Sequence, residues 1–313
     1  MLRVLVLGAA AGGGFPQWNC RCATCHEAWK GRAAPQTQSS IAVSADGERW
    51  FLLNASPDLR AQILAQPQLH PREDSPRHSP IIGAVVTNGD VDHVAGLLSL
   101  RESQKLALYA TPKVHAVLRG NNVFDVLNPE YVARRPLMIG NTVELRTHDG
   151  EPTGLCVEAF SVPGKVPLYL EDDRVAETTL AVRGEDTIGL EVSATSEGVS
   201  STRFFYLPAC AALDDELRAR LSGAPLVFFD GTLWRDDEMI RAGVGRKTGR
   251  RMGHMSIDGP DGSLAAFADL RVERKIFIHI NNTNPILCAG SRERAAVEAA
   301  GWDVARDGME LTL

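Results

Sequence analysis

The apolar run Ile81-Ile82-Gly83-Ala84-Val85-Val86 ends abruptly in Thr87-Asn88-Gly89-Asp90-Val91-Asp92-His93, after which apolar residues recur at helical spacing: Val94, Leu97, Leu98 and Leu100. Such a run predicts a strand buried on both faces, and the change of period marks a strand–loop–helix unit. Its loop carries carboxylates and an imidazole. Two further ligand types stand at similar strand ends, Asp230 after Leu226-Val227-Phe228-Phe229 and His279 after Lys275-Ile276-Phe277-Ile278. Taken singly, each has an ordinary explanation: Asp92 as a helix cap, Asp230 as the first residue of a turn, His279 as a core histidine. Together, at the ends of three buried strands, they point to a metal site on one edge of a sheet, and so to an enzyme.

The net charge is −6, and the only basic run, Arg246-Lys247 with Arg250-Arg251, is local, so no nucleic-acid surface is expected. No apolar stretch reaches the roughly 18 residues that span a bilayer. The opening Met1-Leu2-Arg3-Val4-Leu5-Val6-Leu7 suits a first buried strand better than a signal peptide, because its charged start is minimal. Six cysteines in 313 residues are too few for a disulfide scaffold. Three of them, Cys20, Cys22 and Cys25, are bunched as C-x-C-x-x-C, which in a reducing cytoplasm, the expected location, suggests metal. Three thiolates at that spacing suit one structural zinc with a fourth ligand from a distant segment.

Strands are predicted over 2–7, 39–45 and 49–53, a helix over 57–65 and an exposed loop over 66–80. A strand over 81–87, a helix over 94–103, a strand over 106–110 and a helix over 113–119 follow. The middle is mostly strand, over 143–147, 155–162, 178–183, 187–193 and 202–207. The rest alternates: helix 213–221, strand 225–229, a Gly/Arg-rich loop 243–253, helix 261–268, strand 274–280 and helix 291–300. Strands in both halves with helices beside them imply an α/β protein with two facing sheets flanked by helices. No linker divides the chain, so one domain over 1–313 is expected, with a cysteine-rich zinc loop at about 18–30. The glycines in Gly8-Ala9-Ala10-Ala11-Gly12-Gly13-Gly14 do not make a dinucleotide fingerprint; they suit a tight turn or a close backbone approach to a pocket. Arg246, Lys247, Arg250 and Arg251 could clamp substrate carboxylates or lie in a solvated loop.

The strand–loop–helix resembles the signature loop of the metallo-β-lactamase fold, His-x-His-x-Asp-His, an αββα sandwich. On that pattern Asp92 and His93 match, Asn88 and Asp90 stand where two histidines belong, and Lys165 stands where a third does. Asp230 matches the bridging aspartate and His279 the last histidine. Within the fold, the chain resembles the family of coenzyme PQQ synthesis protein B. The resemblance rests on Ala10 to Cys20, Asn88 to Leu98, Gly253-His254-Met255-Ser256 and Ile278-His279-Ile280-Asn281-Asn282-Thr283-Asn284-Pro285. The resemblance implies a role in pyrroloquinoline quinone (PQQ) biosynthesis and a small-molecule precursor derived from a Glu-Tyr peptide. It leaves the assembly open, a homodimer included. It also implies that the first metal position is lost, since Lys165 brings positive charge where a neutral lone pair belongs. By likeness to phosphodiesterases of the fold, Asn282 occupies the place of the fourth ligand to the cysteine zinc. By likeness to related hydrolases, His254 is a candidate general acid, with Asp230 and Asp90 as further candidate catalytic carboxylates.

What remains at the second position is one metal on Asp92, His93 and His279, with Asp230 beside it as a fourth ligand or a supporting base. Two histidines and a carboxylate are the set associated with iron(II) and dioxygen, although zinc or manganese also accepts it. An iron(II) oxygenase hydroxylating the tyrosine-derived ring is therefore the leading expectation. A zinc hydrolase and a non-catalytic carrier that aids transport of the quinone or its precursor are the alternatives.

Overall fold

The structure, a computed structural model, describes residues 1–165, 182–196 and 199–313. The first sheet takes β1 (Arg3–Gly8), β2 (Ser40–Ser44), β3 (Trp50–Leu53), β4 (Ile81–Val85), β5 (Leu106–Ala110) and β6 (Val132–Pro136). The second takes β7 (Thr142–Arg146), β8 (Pro152–Gly164), β9 (Val182–Ser196), β10 (Val199–Leu207), β11 (Leu226–Asp230), β12 (Arg274–Ile278) and β13 (Trp302–Val304). Finally β14 (Glu310–Thr312) returns to the first sheet beside β1, so each sheet has seven strands. Two facing sheets were expected; both are mixed, and each carries a parallel block: β3 to β6 in one, β10 to β13 in the other.

Strand periodicity explains how the two sheets share a core. Along β1, Val4 and Val6 point into the space between the sheets while Leu5 and Leu7 point to the outer helices. Along β11, Phe228 faces the inter-sheet core while Val227 and Phe229 face the helices on the other side. Strands covered on both faces must be apolar throughout, which is why β4 and β11 read as unbroken hydrophobic runs. Parallel neighbours also end on the same edge, so β4, β11 and β12 deliver the residues that follow them to one place.

The expected helix over 94–103 is corrected. An α-helical turn spans Val91–Val94 and a 3₁₀ stretch spans Ala95–Leu100. The helix starts early because the Asp90 carbonyl accepts from His93 N and Val94 N, which places Asp92 and His93 inside the first turn. The change to 3₁₀ comes where the chain is pressed against a neighbour. Gly96 N donates to the Ala55 carbonyl, and a Cβ at Gly96 would lie 2.1 Å from the Ser56 carbonyl oxygen. The predicted strand over 187–193 is the middle of the longer β9, and residues 178–181 of the strand predicted before it lie outside the described residues. Strands β6, β13 and β14 were not read from the sequence: β6 carries Arg134, Arg135 and Pro136, and the other two have three residues each.

Gly96 yields a test of how the helix seat is built. Ala55 N donates to the His93 carbonyl, so the same seat fixes the backbone of His93. Gly96→Ala should lower stability by about 1–3 kcal/mol in urea unfolding, the usual cost of inserting a methyl where backbone cannot move. An unchanged midpoint would show that the seat yields freely.

Candidate metal centre

Three side chains from the two sheets converge at the common edge. Asp92 and His93 come from the helical turn after β4, and His279 follows β12 with a left-handed backbone (φ 58°). Their ligand atoms lie within 4.8 Å of one another. His279 Nε2–H donates to Asp92 Oδ2 at 3.0 Å, and His93 Nε2 stands 4.0 Å from the same oxygen. The His93 and His279 rings meet edge to face, with centroids 5.2 Å apart. Gly12 backs the carboxylate: a Cβ there would lie 3.3 Å from Asp92 Oδ2, so the glycine-rich loop does approach the pocket closely.

Electrostatics favour a cation here. Burial pushes the His93 imidazole down to about 4, overcoming the pull of Asp92, so at neutral pH the ring is uncharged with a lone pair to offer. Burial alone would raise the Asp92 carboxyl, yet the neighbouring His93 and the hydrogen bond from His279 outweigh it and hold it below the usual carboxylate range. His279 is raised: burial opposes its charge, but the bond to Asp92 and that carboxylate's charge prevail. His93 Nε2 is buried without a hydrogen-bond partner, a costly state for an imidazole nitrogen. Two imidazoles, one of them with an orphaned nitrogen, and one carboxylate fit a single divalent cation.

Asp230, at the end of β11, is fully buried and accepts four hydrogen bonds. Cys210 N and His254 Nδ1 donate to Oδ2 at 2.9 and 2.6 Å, and Thr232 N and Oγ1 donate to Oδ1 at 3.0 and 2.6 Å. The carboxylate thus orients His254, whose ring stacks on His279 at 5.3 Å between centroids. Asp230, His254 and His279 form a second group close enough to hold an ion, adjoining the first through His279. Thr232, which joins them, was missed in the sequence. A threonine two residues beyond a strand-end aspartate carries no ligand signal of its own.

Asn88, Asp90, Lys165 and Gln17 line the same cleft of about 260 Å³. His254 also lines a larger neighbouring cavity of about 640 Å³, together with Arg235, Arg250 and Arg251 and the carboxylates of Asp236, Asp258 and Asp261. Arg246 and Lys247 line neither of these two cavities. The segment is held in place: Arg250 N donates to Asp236 Oδ1 at 2.7 Å and His254 N to the Gly249 carbonyl at 2.9 Å.

The cysteines form a separate group beside this edge. The sulfurs of Cys20, Cys22 and Cys25 lie within 4.8 Å of one another around the Asn282 amide, whose Nδ2 is 3.2, 3.8 and 3.3 Å from them. The Asn282 carbonyl takes a hydrogen bond from Thr24 Oγ1. Burial pushes the Cys25 thiol up to about 12; Cys22 is also raised by burial, but hydrogen bonds, first from Thr24, hold it below the ordinary thiol value. Three sulfurs so close together fit a zinc ion, and the Asn282 amide oxygen would reach it only with the amide turned over. His26 is partly exposed on the helix that starts at Ala23.

The fold and this edge define a member of the β-lactamase superfamily, and the Beta-lactamase superfamily domain matches residues 49–280. Coenzyme PQQ synthesis protein B of Rhodopseudomonas palustris and of Methylorubrum extorquens are each 54% identical to the chain, with all of both chains covered. A crystal structure of Zn(2+)-bound PqqB from Methylobacterium extorquens is also 54% identical and superposes with a TM-score of 0.92, covering 99% of this chain and 100% of that one. The chain belongs to the coenzyme PQQ synthesis protein B family. A diphosphatase of the PhnP family, 20% identical with a TM-score of 0.67 and covering 100% of this chain and 98% of that one, shares the fold alone.

Near the cleft, Glu238 was also missed. Burial raises its carboxyl to about 7, although the Thr283 hydroxyl and Trp234 N donate to it at 2.6 and 2.7 Å. From roughly pH 4.3, the usual value in an unfolded chain, up to about 7, the folded chain keeps a proton that the unfolded chain has lost. This contribution to stability is full below the unfolded value and is lost as pH rises through the folded one. The stability of Glu238→Gln relative to wild type should therefore increase between pH 5 and pH 8 in urea titrations. A difference independent of pH would contradict the shift.

Proposed function

We propose that the chain acts in PQQ biosynthesis as an iron(II)-dependent oxygenase that hydroxylates the tyrosine-derived ring of a precursor built from Glu and Tyr. Membership of the coenzyme PQQ synthesis protein B family supports the pathway and the substrate class. The observation that carries the chemistry is the donor set: Asp92 Oδ2 and His279 Nε2 in contact, with the orphaned Nε2 of buried His93 beside them. When bound, iron(II) would supply the activation of dioxygen, and two imidazoles with one carboxylate leave positions for oxygen and substrate. The chain's own residues do the rest. Asp230 holds His254 by its Nδ1–H, leaving the other ring nitrogen to take or give a proton at the substrate. Asp90 lines the cleft wall, which supports a role as a second carboxylate near the substrate. Arg250 and Arg251 carry the carboxylates of the precursor in the adjoining cavity. Zinc in the cysteine site is structural.

A zinc hydrolase is the second reading, favoured by the zinc-bound relative and by the superfamily. Lys165, Asn88 and Asp90 on the cleft wall weigh against it, because a second hydrolytic metal there would meet an ammonium group.

Anaerobic iron reconstitution followed by oxygen uptake, with a cross-linked Glu-Tyr-type precursor and an added two-electron reductant, separates the two. His279→Ala should abolish iron binding and oxygen-dependent turnover while the cysteine-held zinc stays in place. Oxygen uptake that persists without His279, or none in the iron-loaded wild type, would refute the oxygenase.

Neutralising Arg250 or Arg251 should weaken precursor binding by about 1.5–3 kcal/mol without altering metal content, as expected on loss of a shielded charge-assisted hydrogen bond. Calorimetric titration of the precursor decides it; equal affinity returns these arginines to a solvated loop. Cys22→Ala should lose zinc and melt at lower temperature, and unchanged zinc content with unchanged melting would rule out a structural role.

A further inference from the structure

Thr232 is 4% exposed, and its hydroxyl stands within hydrogen-bond distance of four groups. It lies 2.6 Å from Asp230 Oδ1, 2.9 Å from His279 Nδ1, 3.1 Å from His254 Nδ1 and 2.9 Å from the His279 carbonyl oxygen. A hydroxyl has one proton to give. The Asp230 carboxylate and the His279 carbonyl can only accept, so that proton is shared between them, chiefly with the nearer, charged carboxylate, and none is left for an imidazole nitrogen. The lone pairs of Oγ1 then face two imidazole nitrogens. His254 Nδ1 must bear hydrogen in any case, since it donates to Asp230 Oδ2 at 2.6 Å. For His279, the nitrogen facing Oγ1 must bear hydrogen as well, or two lone pairs would oppose each other at 2.9 Å. The hydroxyl itself has little freedom. Thr232 N is tied to Asp230, and the Thr232 carbonyl accepts from Asn281 N at 3.0 Å and from Asn284 Nδ2 at 3.4 Å.

We infer that Thr232 is a positioning residue that keeps the lasting proton of His279 on Nδ1, so that a metal displaces the Nε2 proton given to Asp92 in its absence and takes that nitrogen's lone pair. This rests on the reading of Asp92, His93 and His279 as the metal site. A histidine held in this way binds metal more tightly because its ring orientation and tautomer are set beforehand. The same hydroxyl links Asp230 to His279, so the strand-end aspartate acts on the ligand through one atom without touching the cation.

The test uses the full-length zinc-loaded protein with ¹⁵N-labelled histidine. Its NMR spectrum should show His279 carrying hydrogen on Nδ1. Zinc titration against a competing chelator, with the cysteine site already filled, should show Thr232→Val binding roughly 10–100-fold more weakly than wild type. Thr232→Ser should restore wild-type affinity, and zinc at the cysteines should not change. If Thr232→Val fails to fold, the wild-type spectrum still decides. A His279 without an Nδ1 proton overturns the inference, as does unchanged affinity in Thr232→Val where His279→Ala loses the ion. If His279→Ala keeps active-site zinc at wild-type affinity, the metal reading itself falls and takes this inference with it.

Discussion

The site depends on a stitch between the two sheets. The Ala9 carbonyl accepts from Ile280 N at 2.9 Å, and Ala11 N donates to the Ile280 carbonyl at 2.8 Å. These bonds tie the loop after β1, in the first sheet, to the chain leaving β12, in the second. Gly12 is thereby brought against Asp92 and the Cys20–Cys25 segment against Asn282. Backbone bonds of this kind are insensitive to side-chain identity, so the stitch holds while the residues around it specialise.

Behind the stitch the sandwich supplies rigidity. Close-packed layers on both faces of β4, β11 and β12 leave the strand ends little room to shift, and such support keeps ligands within the narrow tolerance that a metal site needs. Departures from regular geometry occur at the edge itself. His279 has a left-handed backbone, and His93 sits in a turn shortened by the contact of Gly96 with Ala55. Strain of this kind persists only where the surroundings over-determine it.

The strands buried on both faces were legible because burial of that kind leaves an unbroken apolar run, and the candidate site residues were legible because they stand just past those runs. Asp92, His93, Asp230 and His279 all came from that one pattern. The edge strands β6, β13 and β14 were not legible: with one neighbour or few residues, they need no apolar run. The helix after His93 was misplaced because its start is set by the Asp90 carbonyl and its tightening by Ala55, neither of which leaves a mark in local spacing. Thr232 and Glu238 were invisible for a related reason. Their roles exist only once residues distant in the chain converge on them, as His279, 47 positions away, does on Thr232. Arg235 joined the arginine cavity in the same way, from outside the basic run that drew attention to Arg250 and Arg251.

Asp92 and His93 follow a strand of one sheet and His279 a strand of the other, so a cation held by all three would be a fastener between the two halves of the sandwich. Its occupancy would enter the folding equilibrium directly: each tenfold rise in free metal above the dissociation constant adds about 1.4 kcal/mol to the stability of the folded chain. Metal supply in the cell would then govern how long the protein survives as well as how fast it works. Starvation for the ion would be felt first as loosening between the sheets.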